Sequence, residues 1–321
     1  DSPDRLDAIL SNQLTQWEAI YGRGEDETTL SSRFLGVIRR ASEQAGRGVV
    51  VLVDEYDKPL LQAIQNEPLL DSYRSTLKAF YGVLKSADRY LRFAFLTGVT
   101  KFSQVSVFSD LNQLNDISLN YDFSTLCGIT REELLANFEP EIAALSQAND
   151  INTKEVVETM TRQYDGYHFS DENMTDIYNP FSLLNALSQL RLRNYWISSG
   201  ATSMLNKFVN NMELRLHDFE DCYIDKDTLE TSDVIEGGAE LFLYQTGYLT
   251  IKGFDEDGYS LGFPNEEVRK ALYKAVLPAL TKKDITDIVS IQSKLMHSLN
   301  NGNLEEAKQC MKSLISNVPY S

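Results

Sequence analysis

The sequence predicts a mixed α/β fold. It expects a parallel sheet with helices on both faces, a helical segment after it, and a smaller α+β region at the end. Three observations carry this. Val49-Val50-Val51-Leu52-Val53 is an unbroken apolar, mostly β-branched run that stops at Asp54-Glu55, the pattern of a strand buried on both faces of a parallel sheet. Short apolar runs then alternate with helical stretches up to about residue 122, as in right-handed βαβ units. Near the end, Leu249-Thr250-Ile251-Lys252 and Tyr259-Ser260-Leu261-Gly262-Phe263 flank Asp255-Glu256-Asp257-Gly258, good hairpin chemistry.

The elements follow in order. Leu6, Ile9, Leu10, Leu14, Trp17 and Ile20 recur at helical spacing, and Ser2 or Asp4 is a candidate cap. Gly22-Arg23-Gly24 breaks this helix. A second, from Leu30 to about Gln44, points Phe34, Leu35 and Ile38 inward and leads to the central strand. A helix is expected through the sixties. Another starts at Asp71 and runs to about Tyr90, with the stripe Tyr73, Leu77, Phe80, Tyr81 and Leu84. Phe93-Ala94-Phe95-Leu96 reads as a second strand, and Asp116-Ile117-Ser118-Leu119 as a third. Beyond it, Thr130-Arg131-Glu132-Glu133 is a capping box, and Gly166 in Tyr164-Asp165-Gly166-Tyr167-His168-Phe169 is free to take positive φ. Asn179-Pro180 starts a helix with an N-cap and proline at its first position. Helices around the late hairpin resemble a winged-helix module, whose acidic tip argues against reading DNA. Residues 283–316 predict two more helices.

Composition narrows the function. The chain has 321 residues, 47 acids against 30 bases and a net charge of −17. That surface repels a phosphate backbone, so direct nucleic-acid binding is not expected. No apolar run approaches the roughly 18–20 residues that cross a membrane. There is no signal segment, and Cys127, Cys222 and Cys310 show no pairing or metal spacing, so a cytoplasmic location is expected. The scattered His168, His217 and His297 do not suggest zinc.

Chemistry concentrates where the central strand ends. Ligands of parallel sheets bind beyond the carboxyl ends of the strands, and an acidic pair there has the form of a Walker B element. The first acid would help to hold Mg²⁺ and the second would position the attacking water. Acidic strand ends are also common without any such role, and Asp54-Glu55 alone does not separate the two. Thr97-Gly98-Val99-Thr100-Lys101 follows the second strand. Its hydroxyls and lysine suit a nucleotide's γ-phosphate, or simply a polar turn. No Gly-Lys pair occurs anywhere, so the backbone cradle and lysine of a phosphate-binding loop are missing from the sequence.

The string Val49 to Pro59 (Val-Val-Val-Leu-Val-Asp-Glu-Tyr-Asp-Lys-Pro) resembles the predicted AAA-ATPase-like family of bacterial proteins, common in gut Bacteroidetes. Further segments agree in order. They are Phe95 to Ser103, Leu114 to Ser118, Cys127 to Thr130, Tyr164 to Phe169, Tyr178 to Ser182 and Phe263 to Arg269. The resemblance implies a P-loop NTPase core related to STAND-type switch ATPases over 1–122, a helical lid over 123–205, and a winged-helix-like domain with C-terminal helices over 206–321. By resemblance Asp54 is the Mg²⁺ acid and Glu55 the catalytic base. Thr97, Thr100 and Lys101 read the γ-phosphate, and Asn179-Pro180 is a lid contact to ATP. Asp57 and Lys58 belong to the signature without a chemical role, although Asp57 is placed to cap the next helix. Family members carry a Walker A loop upstream and often a nuclease-like domain downstream, so the chain is expected to be a central piece, inactive alone. The alternative is a non-catalytic interaction module with a vestigial nucleotide site, presented to a protein partner or a second copy.

Overall fold

In the computed structural model the described residues are 2–99, 107–108, 111, 113–196, 205, 222–231 and 237–315. The chain divides into two compact units, one formed by Asp1–Asp116 with Asp227–Gln245, the other by Ile117–Lys226 with Thr246–Ser321.

The first unit is led by α1 (Pro3–Tyr21) and α2 (Leu30–Ala45). Ser2 takes the N-cap position of α1 without a side-chain cap bond, whereas Thr29 and Ser32 form a reciprocal capping box on α2. The helices pack through Trp17, Phe34 and Phe80, with the latter two rings stacked at 4.5 Å. Between them lies a buried ion pair, Arg33 with Glu18. After β1 (Val49–Val53) come α3 (Lys58–Ala63), α4 (Glu67–Tyr81) and α5 (Val83–Ser86), then β2 (Leu91–Leu96). The helix expected from Asp71 starts earlier because Asn66 accepts the Leu69 N–H and Pro68 sits in the first turn. It stops at Tyr81, where Gly82 begins a separate short turn of helix.

β1 and β2 pair in parallel with Val50 opposite Phe93 and Leu52 opposite Phe95. Burial on both faces does not hold. Val50 is 50%, Leu52 70% and Phe93 53% exposed, because among the described residues the helices cover one face of this two-stranded sheet and nothing covers the other. The third expected strand is also absent. Ile117 accepts the Asn120 N–H and Asn120 Oδ1 accepts from Asp122, so the segment closes into turns rather than extending. The first unit is completed from Asp227 onward by α10 (Lys226–Thr231) and α11 (Gly238–Gln245), with Leu241, Phe242 and Leu243 buried.

The second unit opens with β3 (Ile129–Thr130), which pairs antiparallel with β4 (Ile177–Tyr178). Thr130 and Glu133 form the expected capping box on α6 (Arg131–Asn137). α7 (Glu139–Asn149), α8 (Thr153–Tyr164) and α9 (Pro180–Gln189) enclose a core of Leu134, Leu145, Val156, Met160, Tyr164, Tyr178 and Leu183. The late hairpin forms between β6 (Thr250–Phe254) and β7 (Gly258–Gly262), its turn tied by Asp255 Oδ1 accepting from Asp257 and Gly258 at 3.0 Å each. β5 (Cys222–Asp225), not foreseen in the sequence, adds to the free side of β7. α12 (Glu266–Thr281), α13 (Ile285–Asn300) and α14 (Leu304–Ile315) complete the chain. Among the described residues no helix is long and apolar enough to cross a membrane.

Candidate functional site

The two parallel strands end side by side, and their exits are stitched together. Thr97 N–H donates to the Val53 carbonyl at 2.8 Å and the Thr97 carbonyl accepts from Tyr56 N–H at 2.9 Å. The Thr97 hydroxyl donates to Asp54 Oδ1 at 2.5 Å and accepts from Glu55 N–H at 3.3 Å. One hydroxyl therefore holds the Asp54 carboxylate and the Glu55 backbone. Glu55 is held at φ 52°, the left-handed region that side-chain-bearing residues enter only when neighbours impose it. Its carboxylate takes the Lys58 ammonium at 2.5 Å, and this bond is the main cause of the raised Lys58 pKa. Both partners of that pair are largely exposed, so it contributes little stability.

Tyr56 and Asp57 turn inward. Asp57 occupies the N-cap position of α3 but makes no side-chain cap bond there, which corrects its expected role. Its Oδ1 instead accepts the Val99 N–H at 3.1 Å. Burial first, and then the Asp57 charge, push the Tyr81 hydroxyl up to about 12.

Asp54, Glu55 and Thr97 are thus brought together at one strand edge. Thr100 and Lys101 lie outside the described residues. Asn179 belongs to the second unit, where Oδ1 caps α9 through the Ser182 N–H at 3.1 Å and Pro180 fills the first helical position. Among the described residues no three His, Cys, Asp or Glu side chains cluster as a metal cage. An exposed aspartate beside an oriented hydroxyl still fits Mg²⁺, which keeps several waters and takes one or two carboxylates plus substrate phosphates.

In the second unit, Asp165–His168 and Asn265–Glu267 meet in a polar knot that sequence reasoning did not assemble, buried except at Asp176 and Lys252. Asn265 Nδ2 donates to the Asp165 carbonyl at 2.9 Å while its Oδ1 caps α12 through Val268 N–H. His168 joins Ile251 O at 2.8 Å through Nδ1 and Asp176 at 2.7 Å through Nε2. Lys252 Nζ donates to Gly166 O at 3.2 Å, and burial lowers its pKa. Burial likewise raises the Asp165 carboxyl to about 6. Glu267, also raised by burial, accepts the backbone N–H groups of Tyr195 and Trp196. Gly166 at φ 92° was the one local signal for this knot, since a Cβ there would lie 2.3 Å from Pro264 O. Apart from the His168–Asp176 pair, each of these bonds holds a backbone group.

The strand-edge acids lie inside the segment that has a known counterpart. Residues 1–108 match the family described as Predicted AAA-ATPase. Over 276 residues the chain is 34% identical to an "Uncharacterized protein in vnfD 5'region" of Azotobacter chroococcum mcd 1, a match covering 85% of this chain and 51% of that protein. The chain spans about half the length of this curated relative. No solved structure matches it. The Predicted AAA-ATPase match takes in Asp54, Glu55, Asp57, Thr97 and Val99, and all of the second unit lies beyond it.

Proposed function

We propose that this chain carries the acidic side of an ATP site in a larger bacterial switch ATPase. The architecture on this reading is a P-loop, STAND-like core over 1–122, a helical lid over 123–205 and a winged-helix-like region over 206–321. The observation that carries it is the Thr97 hydroxyl bridging Asp54 and the Glu55 backbone at the strand exits. Asp54 is the Walker B acid and Thr97 faces the terminal phosphate; Thr100 and Lys101 are given the same role from their place in the sequence alone. Bound Mg²⁺ would neutralise charge on the phosphate oxygens. Glu55 orients the attacking water once its carboxylate leaves Lys58. The phosphate cradle comes from a part of the protein outside these 321 residues, since no Gly-Lys pair is among them.

The test is Glu55→Gln in the full-length protein. The expected result is retained Mg-ATP binding with turnover lost by about 10²–10⁴-fold, the usual contribution of a positioned base. Unchanged turnover removes Glu55 from the role. A second reading, a non-catalytic interaction module, is favoured by the uncovered apolar face of Val50, Leu52 and Phe93. It predicts no Mg-dependent ATP binding at all.

A further inference from the structure

Asp57 is the signature acid that the proposed chemistry leaves without a task. Its side chain is completely buried. A carboxylate leaves water only where hydrogen bonds replace the lost hydration. A capping bond to its own helix is the local solution, and Asp57 does not take it. It reaches instead across to the other strand exit and accepts the Val99 N–H, two residues beyond Thr97. The loop and turn are pressed together at this point. A Cβ on Gly98 would lie 2.4 Å from Tyr56 Cε1 and 2.9 Å from Asp57 Oδ1, so the contact tolerates only glycine at that position.

We propose that Asp57 is a positioning residue for the Asp54–Glu55–Thr97 site. Its carboxylate braces the β2 exit at Val99 and so keeps the Thr97 hydroxyl on Asp54. The Thr97 backbone is held on both sides, its carbonyl by the Tyr56 N–H at 2.9 Å, and two further bonds bear on that hydroxyl's direction. One is the Thr97 N–H on Val53 O at 2.8 Å, and the other is the Asp57–Val99 bond at 3.1 Å. Without the Asp57 bond, the chain beyond Thr97 is held only by the Thr97 backbone bonds and can swing at Gly98. The Thr97 hydroxyl then loses the geometry that lets it donate to Asp54 while accepting from the Glu55 N–H. Glu55 loses its support in the left-handed region at the same time. What the site does rests on the ATP reading; the brace itself does not. Because Oδ1 acts as an acceptor, asparagine preserves the brace and alanine removes it.

The experiment compares Asp57→Ala and Asp57→Asn with wild type in the full-length protein. Two readouts are taken: amide hydrogen exchange at Val99 without nucleotide, and kcat and Kd for Mg-ATP. In Asp57→Ala we expect Val99 exchange and kcat each to change by about tenfold or more, faster and slower respectively, with Kd held within about threefold. Asp57→Asn should restore both towards wild type. Should Asp57→Ala fail to fold, Asp57→Leu, with the same branching, more bulk and no acceptor, carries the comparison. Failure of both to fold makes Asp57 a core-fold residue and overturns the proposal. Unchanged Val99 exchange in Asp57→Ala overturns the brace. Faster exchange with unchanged kcat overturns its link to the site. A wild-type protein that neither binds nor hydrolyses Mg-ATP defeats the ATP reading and that link with it, while Val99 exchange still reports the brace separately.

Discussion

Replacing Glu18 with alanine strips the carboxylate from a buried guanidinium. Arg33 is 6% and Glu18 9% exposed, and the pair is bidentate, with Nε to Oε1 at 2.7 Å and Nη2 to Oε2 at 2.8 Å. Ser11 Oγ at 2.7 Å, Thr15 Oγ1 at 3.0 Å and Ser11 O at 3.2 Å accept the remaining donors. Breaking a buried pair by removing one partner costs about 3–5 kcal/mol, and the surviving acceptors place this case near the lower end, about 3 kcal/mol. Glu18→Leu with Arg33→Met removes both charges and is expected to fall within about 1 kcal/mol of wild type. Trp17 stacks on Phe34 beside the pair, so urea unfolding read by its fluorescence reports on this unit once Trp196 is replaced by phenylalanine. At an m of about 1–3 kcal/mol/M the single variant's midpoint falls by about 1–3 M. The pH dependence has a definite sign. Hydrogen bonding from Arg33 holds the Glu18 pKa below its ordinary 4.5. Its stabilising contribution is present above that value and lost as pH falls through the lowered folded pKa, so the penalty of Glu18→Ala shrinks in acid. A single-variant cost below about 1 kcal/mol at neutral pH, or a double variant as unstable as the single, would refute the reasoning.

Two other outcomes test the second unit. Gly166→Ala combines a positive φ with a Cβ 2.3 Å from the Pro264 carbonyl oxygen, and should cost about 2–4 kcal/mol, seen as a lowered melting temperature; an unchanged melting temperature contradicts the packing described. Burial lifts the Asp165 carboxyl from 3.8 to about 6, so its contribution is fully present below pH 3.8 and is lost as pH rises through about 6. Wild-type stability should therefore fall by about 1–2 kcal/mol over that window relative to Asp165→Asn, measured by denaturant titration at several pH values, and parallel profiles would contradict it.

What could be read from the sequence was local. The Thr130–Glu133 box, the Asn179-Pro180 start and the Asp255–Gly258 turn are set by neighbours within four residues, and all three form. The run Val49–Val53 is legible as a strand, but an all-apolar strand carries no alternation to say which face stays uncovered, so the exposure of Val50 and Leu52 was invisible. Asp116–Leu119 has the length of a strand and finds no pairing partner. Cys222–Asp225 has one only because β7 arrives more than thirty residues later. The same distance hid the brace at the site. Asp57 two residues before a proline looks like a cap, while its actual partner, Val99, is 42 residues away.

The most direct test of the ATP reading is a calorimetric Mg-ATP titration of the full-length protein and of its Asp54→Asn variant, with this chain alone alongside. The expected result is saturable, Mg-dependent binding by the full-length protein, weakened by Asp54→Asn, and little or none by this chain, which contains no Gly-Lys phosphate loop. Equal binding by wild type and Asp54→Asn, or none by either, would contradict it and leave Asp54 and Glu55 as structural acids.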